Sequence, residues 1–419
     1  MKKLSRIFLA TSMLAGGAAM LTGCDVKAAE YKPGEAVKVG LICLHDETST
    51  YDNNFIKEMN NAATEMGTKM EAPIIKTGIG ENRQCLNAAK ELVKQGCNVI
   101  FADSFGHEEF MLKAAKKWPQ VQFCHATGTQ AKTAGVKNYH NAFASIYEGR
   151  YLAGYAAGLK LQKMVAANQI QDSQKDANNN IKLGYVGAYP YAEVVSGYTS
   201  WFLGVRAVVS NVVMDVRYTY EWYHVDKEQN AANALISSGA ALVSQHADSM
   251  GAPNACQAAN VPNVSYNVLT GLGTNIAYSR INWAPYYKEV IGKVYDGKAN
   301  ELAANWTGTL DTGSVEYDVL DATDKATVQG IEAELKAGTR KVFDCSKFTV
   351  TKTDKVNVNA TLDADRHLTA YLADVDDDGT FTGETNVIKT ENGVTYFDES
   401  ANRSAPYFDL RIDGITEKE

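Results

Sequence analysis

One local pattern, repeated along the chain, constrains the fold more than any other feature: an apolar run, then a polar loop, then an amphipathic helix. It first occurs at Val37 to Phe55. Val37 to Leu44 is apolar except for Lys38, which suits a buried strand. His45 to Asp52 is dense in hydrogen-bonding groups with one aromatic, and Asn53 is read as opening a helix with Phe55, Met59, Ala62, Ala63 and Met66 on one face. In open α/β sheets, ligands bind outside the carboxyl ends of the strands, where such loops lie.

The unit recurs. Short strands are read at 72–76, 99–102 and 121–124, with polar loops at 77–80, 103–107 and 125–129 and helices at 81–95 and 108–117. Four units in one short stretch predict a parallel, doubly wound sheet. A long helix from Tyr147 to Met164 carries Gly149, Ala153, Gly154, Ala156, Ala157 and Gly158, which allow close packing. A polar segment, 166–180, marks a boundary. The pattern then restarts with strands at 181–186, 212–218, 240–243 and 263–266, so two similar α/β halves are expected. A strand at 275–281 and a helix at 284–295 are read as returning the chain to the first half. The last eighty residues differ: alternating segments with turn pairs, read as strands at 342–350, 356–360, 368–374, 381–388 and 394–397, are expected to form an antiparallel β-appendage.

The first 23 residues are read as a leader rather than as structure. Lys2, Lys3 and Arg6 precede a short apolar stretch, and Leu21-Thr22-Gly23-Cys24 has the form of a lipobox. The stretch is short for a permanent span, which needs roughly 20 apolar residues. The expected mature chain begins at Cys24, lipidated and membrane-held on the extracytoplasmic face, with 24–36 as a tether. Removing the leader takes away three positive charges, leaving 38 Lys and Arg against 49 Asp and Glu, a net charge of −11. With no basic patch, nucleic acid is not an expected partner. Cys43, Cys85, Cys97, Cys124, Cys256 and Cys345 form no CxxC pair; disulfides are conceivable outside the cytoplasm, but small buried hydrophobes is the better reading.

Several segments together resemble a known family. They are LHDETSTYDNNF at 44–55, IYEGRYLAGYAAG at 146–158, VGAYPYAEVVSGYTSWFLGVRAV at 186–208, WYHVDKEQNAANALISSGA at 222–240, SQHADS at 244–249, NWAPYYKEVIGKVYDG at 282–297 and WTGTLDTGSVEY at 306–317. In this order the chain resembles the basic-membrane-protein family of substrate-binding lipoproteins, which includes purine-nucleoside receptors of ABC importers. The resemblance spans roughly 37–345. It implies a type I periplasmic-binding-protein fold: two Rossmann-like lobes joined by hinge crossovers and closing on a solute. It also implies separate permease and ATPase partners. The nucleoside receptors carry a Phe-Asn pair in the first loop, and here that loop reads Ser49-Thr50-Tyr51-Asp52. The expected division is 37–145 with about 270–305 in the first lobe, 146–269 with about 306–345 in the second, and 346–419 as appendage.

If solute sits where the strand ends converge, the candidates are Asp46, Tyr51, Asp103, Ser104, Phe105 and His125 from the first lobe. Tyr189, Trp222 and Asp248 come from the second, with Asn267 and Arg280 near the hinge passages. Aromatic faces can stack a planar ring while Asp and Ser fix its polar edge. Each has a competing structural role: core or hinge for the aromatics, N-cap or Asx-turn for Asp46 and Asp103.

Other patterns carry less. Five of the seven histidines fall in strand-end loops but lack HxH or HxxxH spacing, which favours hydrogen bonding over metal. Gly292 to Ala299 matches a Walker A spacing except at its last position, and Gly297 fits a helix cap better. Asp374, Asp376 and Asp378 begin a calcium-loop pattern, but Thr385 occupies the twelfth position, so a solvated turn is the preferred reading. No cofactor is expected, and no GxSxG or HExxH supports an enzyme. A sugar receptor, a surface sensor and a nucleoside hydrolase are the alternative functions.

Overall fold

The structure is a computed structural model describing residues 26–375 and 385–418. The leader, Cys24 and all of the acidic loop beyond Val375, including Asp376 and Asp378, lie outside the described residues. So does the start of the tether.

The first lobe opens with strand β1 (Val39–Ile42), whose residues are all buried, as a strand covered on both faces requires. Helix α1 (Thr50–Met66) begins three residues before the expected Asn53, because Ser49 caps it by accepting a bond from the Asp52 amide. β2 (Ile74–Lys76), α2 (Arg83–Lys94), β3 (Val99–Ala102), α3 (Glu108–Lys117), β4 (Gln122–Ala126) and β5 (Tyr139–Ala144) continue the alternation.

Helix α4 (Ile146–Ala166) carries the chain into the second lobe, which is built from β6 (Ile181–Gly187), α5 (Ala192–Arg206), β7 (Val212–Tyr218) and α6 (Val225–Ser237). β8 (Val243–His246), α7 (Gly251–Ala259), β9 (Asn263–Tyr266) and β10 (Asn275–Ile281) follow. α8 (Ala284–Tyr295) and β11 (Asn305–Gly308) return to the first lobe; β12 (Val315–Val319) and α9 (Ala322–Lys336) go back to the second. The chain therefore crosses between lobes three times.

The first sheet has strand order β11-β5-β4-β3-β1-β2 and is parallel throughout. In the second lobe α4 and α5 cross in close contact. A Cβ on Gly154 would stand 2.2 Å from the Trp201 carbonyl oxygen, and one on Gly204 2.3 Å from that of Tyr151. The small-residue pattern in α4 is thus a packing requirement.

The appendage comprises β13 (Ala360–Leu362), β14 (Leu368–Ala373), β15 (Thr385–Asn386), β16 (Ile388–Glu391) and β17 (Val394–Phe397), all paired antiparallel. The chain ends in β18 (Ile415–Lys418), and the second sheet runs β12-β10-β9-β8-β6-β7-β18.

Four expectations about boundaries change. β10 belongs to the second lobe: it pairs parallel with β9 and antiparallel with β12, and its alternate residues are buried. β11 joins the first sheet beside β5, although the second lobe was expected to resume at about 306. β18 extends the second sheet beside β7 instead of staying in the appendage, a pairing about two hundred residues distant that no local signal announces. The expected strand over 342–350 is a short 3-10 turn at Cys345–Lys347, capped by Asp344. All six described cysteines are buried and free.

Candidate functional site

The carboxyl ends of the strands in both lobes face one another across a narrow cavity with about 20 Å³ of free space. From the first lobe it is lined by Leu44, His45, Tyr51 and Asp52 after β1, Ser104 and Phe105 after β3, and Thr127 after β4. The second lobe contributes Glu193 from the first turn of α5, Trp222 after β7, and His246 and Asp248 at the end of β8.

Three carboxyl groups reach this cavity. Asp52 accepts bonds from the His45 amide at 2.7 Å and from Ser49 Oγ at 2.6 Å. Burial opposes its charge, but these bonds, with His45 Nδ1 at 3.3 Å, hold its pKa below the ordinary value. Asp248 is nearly buried and behaves oppositely. Burial, then the neighbouring Glu228, Asp52 and Glu193 carboxyls, push its pKa well up, and Arg150 opposes them only in part.

Glu193 belongs to a chain that runs back into the second lobe. The Arg150 guanidinium donates to the Gln245 carbonyl at 2.7 Å and to His246 Nδ1 at 2.8 Å. Arg150 has only donors, so His246 Nδ1 must accept; Nε2 therefore carries the proton and donates to Glu193 at 3.2 Å. Burial, then Arg150, lowers the His246 pKa to about 4, which keeps the ring neutral.

The lobes touch at several points around the cavity. The Thr50 amide and hydroxyl both donate to the Asp248 carbonyl, at 2.8 and 3.1 Å. Asn54 donates to Asn267 Oδ1 at 2.7 Å. Arg280 on β10 bonds Glu58 on α1 at 2.6 Å and Glu316 on β12 at 2.6 Å, bracing the hinge side. Phe105 and Tyr191 face each other with ring centroids 5.6 Å apart.

Of the sequence candidates, Tyr51, Ser104, Phe105, Trp222 and Asp248 line the cavity. The others lie elsewhere. Asp46 is exposed and accepts from the Thr48 amide and hydroxyl, the Asx-turn alternative. Asp103 is fully buried behind the wall and ties β3 to β1 by accepting from the Leu44 amide at 3.1 Å. Burial, then Asp52, raises its pKa well above the carboxylate range. His125 is also buried and donates through Nε2 to the Ser104 carbonyl at 2.7 Å, holding that loop from beneath. Tyr189 backs Trp222 with centroids 5.0 Å apart. Asn267 and Arg280 make the interlobe contacts just described.

Sequence reasoning did not select Leu44, His45, Asp52, Thr127, Glu193 or His246 as solute ligands. Thr127 has a positive φ of 65°, unusual for a β-branched residue, and no sequence pattern announces it. Glu193 could have been found as the acid in the first turn after a strand-end loop. Among the described residues, the one His/Cys/Asp/Glu group close enough to hold a metal is Cys43, Asp52 and Asp103, all buried and without a histidine.

Two parallel lobes, three crossovers and a cavity between strand ends define a periplasmic-binding-protein architecture. Solved structures agree. A solute-binding protein of an ABC transporter system from Aeropyrum pernix aligns with a TM-score of 0.58 at 12% identity, covering 76% of this chain and 94% of that one. Another, from Conexibacter woesei, aligns at 0.55 and 19% identity, covering 73% and 98%. At such identities they establish the fold.

The chain belongs to the family of PnrA-like ABC transporter substrate-binding proteins, which it matches over residues 39–344. It is 31% identical to a purine-binding protein of Brucella abortus over 74% of this chain and 83% of that protein. It is also 33% identical to a putative ABC transporter glucose-binding protein of Haloferax volcanii, over 52% of this chain and 50% of that one. The expected family and fold are therefore correct, and the family is one of receptors rather than enzymes.

Proposed function

We propose that the protein captures a purine nucleoside or nucleobase for an ABC importer, the two lobes closing over it. The observation that carries this reading is the cavity's composition. Aromatic rings stand on both sides, Tyr51 and Phe105 from one lobe and Trp222 from the other, with Asp52, Glu193 and Asp248 among them. Asp52 and Glu193, with no lining Lys or Arg, repel phosphates and carboxylates, while all three carboxyls offer acceptors to ring N–H and ribose O–H groups. A neutral, flat, donor-rich solute fits that set. The 31% identity to the Brucella purine-binding protein supports the same choice.

The same geometry supports closure. A solute bridging Trp222 and Tyr51 makes contacts in the closed state that no open state provides, so it shifts the population toward closure. Permease and ATPase would be separate chains. The lipobox at Leu21 to Cys24 supports anchoring on the extracytoplasmic face.

The Haloferax relative supports a second reading, a sugar receptor. Mass spectrometry of solutes released by denaturing the purified protein, followed by calorimetric titration with adenosine, guanosine, inosine and glucose, separates the two. Release and tight binding of a purine nucleoside are expected. Glucose binding without nucleoside binding refutes the first reading, and turnover of a bound nucleoside would return the hydrolase alternative.

A further inference from the structure

A second and larger cavity, about 370 Å³, lies beyond the first. Phe105, Thr127, Glu193 and Trp222 line both, so the two spaces adjoin across these side chains. Its walls come from three parts of the molecule. Phe105 and Thr129 belong to the first lobe, Tyr191 and Glu193 to the second, and Tyr371, Leu372 and Asp409 to the appendage. The appendage is firmly seated against both lobes. Glu399 accepts from Ser196 on α5, Ser404 donates to Asn305 at 3.3 Å, and β18 continues the second sheet.

We propose that the appendage completes an outer subsite, which receives a neutral hydroxylated ring joined to the solute part held in the inner cavity. Two large aromatics at the junction, Phe105 and Tyr191, are each 45% exposed and face each other across the lobes. Their faces border the chamber and offer flat apolar surface to a ring. Around them Glu193, Asp374, Asp409, Thr129 and Asn359 supply mainly acceptors, as a polyol requires. A phosphate is poorly served. Three carboxyl groups line the chamber against the Arg403 guanidinium, which is turned to the carbonyls of Ala405 and Pro406 at 3.2 and 3.1 Å.

This inference rests on the nucleoside reading for the inner part only. The test is calorimetry on the full chain with adenosine, 2′-O-ribosyl adenosine, 5′-O-ribosyl adenosine and adenosine 5′-monophosphate. Tyr191→Ala and Leu372→Trp are the variants. Both residues line the outer chamber but not the inner one, and both are substantially exposed, so folding should survive; thermal melts check this. One ribosyl isomer should bind at least tenfold more tightly than adenosine, and the monophosphate more weakly. Both variants should abolish that gain, and Leu372→Trp should leave adenosine affinity unchanged. If adenosine binds but neither isomer binds more tightly, or the gain survives both variants, the outer subsite is refuted. If no purine binds, the nucleoside reading falls. The chamber is then judged by solute released from wild type and from Leu372→Trp: a multi-ring solute present only in wild type supports it, and identical solutes overturn it.

Discussion

Glu399 makes the seating of the appendage sensitive to pH, and the size of the effect can be worked out. Its side chain is almost wholly buried, accepting from Ser196 Oγ on α5 and from Ser400 Oγ at 3.1 Å. Burial is the main influence on its carboxyl. The two serine bonds partly offset it, Glu148 and Glu193 add to it, and the pKa rises from 4.5 to about 8. A folded-state pKa above the unfolded one means the folded state binds more protons, so stability falls as pH rises from about 4.5 to about 8. At about 1.36 kcal/mol per pH unit the ceiling is on the order of 5 kcal/mol, and relaxation at the site should reduce it. Glu399→Gln keeps an acceptor for Ser196 and cannot ionise. The variant should match wild type near pH 5 and exceed it by an amount growing toward pH 8, read by urea denaturation across that range. Glu148, raised by burial to about 7, contributes a smaller slope that both proteins share, slightly reduced in the variant. Parallel stability curves for the two proteins would refute the assignment of this proton to Glu399.

Replacing Trp222 or Tyr51 with Ala should weaken solute binding by on the order of 1–3 kcal/mol, roughly ten- to a hundredfold, with little change in melting temperature. Wild-type affinity in both variants, by calorimetric titration, would remove them from the site. Arg280→Gln leaves the nearly buried Glu58 carboxylate without its cation across the lobes, so affinity should fall and the solute-free protein should expand in small-angle scattering. Unchanged affinity and radius would show that the brace is incidental. Cys24→Ala should release the protein from membranes in a detergent-partition assay, and unchanged partitioning would contradict the lipobox.

The fold was legible because its strongest signals are local. Buried runs such as Val99 to Ala102 and their following helices sit close together in the chain, and each repeats the last. Errors arose where placement depends on distant partners. β10 read correctly as a strand, yet its lobe is set by pairing with β12; β11 carried no strand reading and takes its place from pairing with β5. β18 is four residues long and polar in part, and only the exposed edge of β7 gives it a place.

The site shows the same division more sharply. Loop position after a buried strand was enough to find Tyr51, Ser104, Phe105, Trp222 and Asp248. It was not enough to separate residues whose side chains enter the cavity from those that brace its walls. Asp103 and Ser104 are adjacent, yet one carboxyl turns inward to the Leu44 amide while its neighbour borders the cavity. Asp46 and Asp52 share one loop, yet Asp46 spends its oxygen on Thr48, and Asp52 is drawn inward by the amide and ring of His45. Such choices are decided by which backbone donor each carboxylate meets, and that is a property of the folded turn. The Arg150 chain goes one step further: an arginine on α4 fixes the proton on His246, and through it the donor that faces Glu193. Three residues from three elements set the polarity of one wall, and no spacing within the sequence relates them.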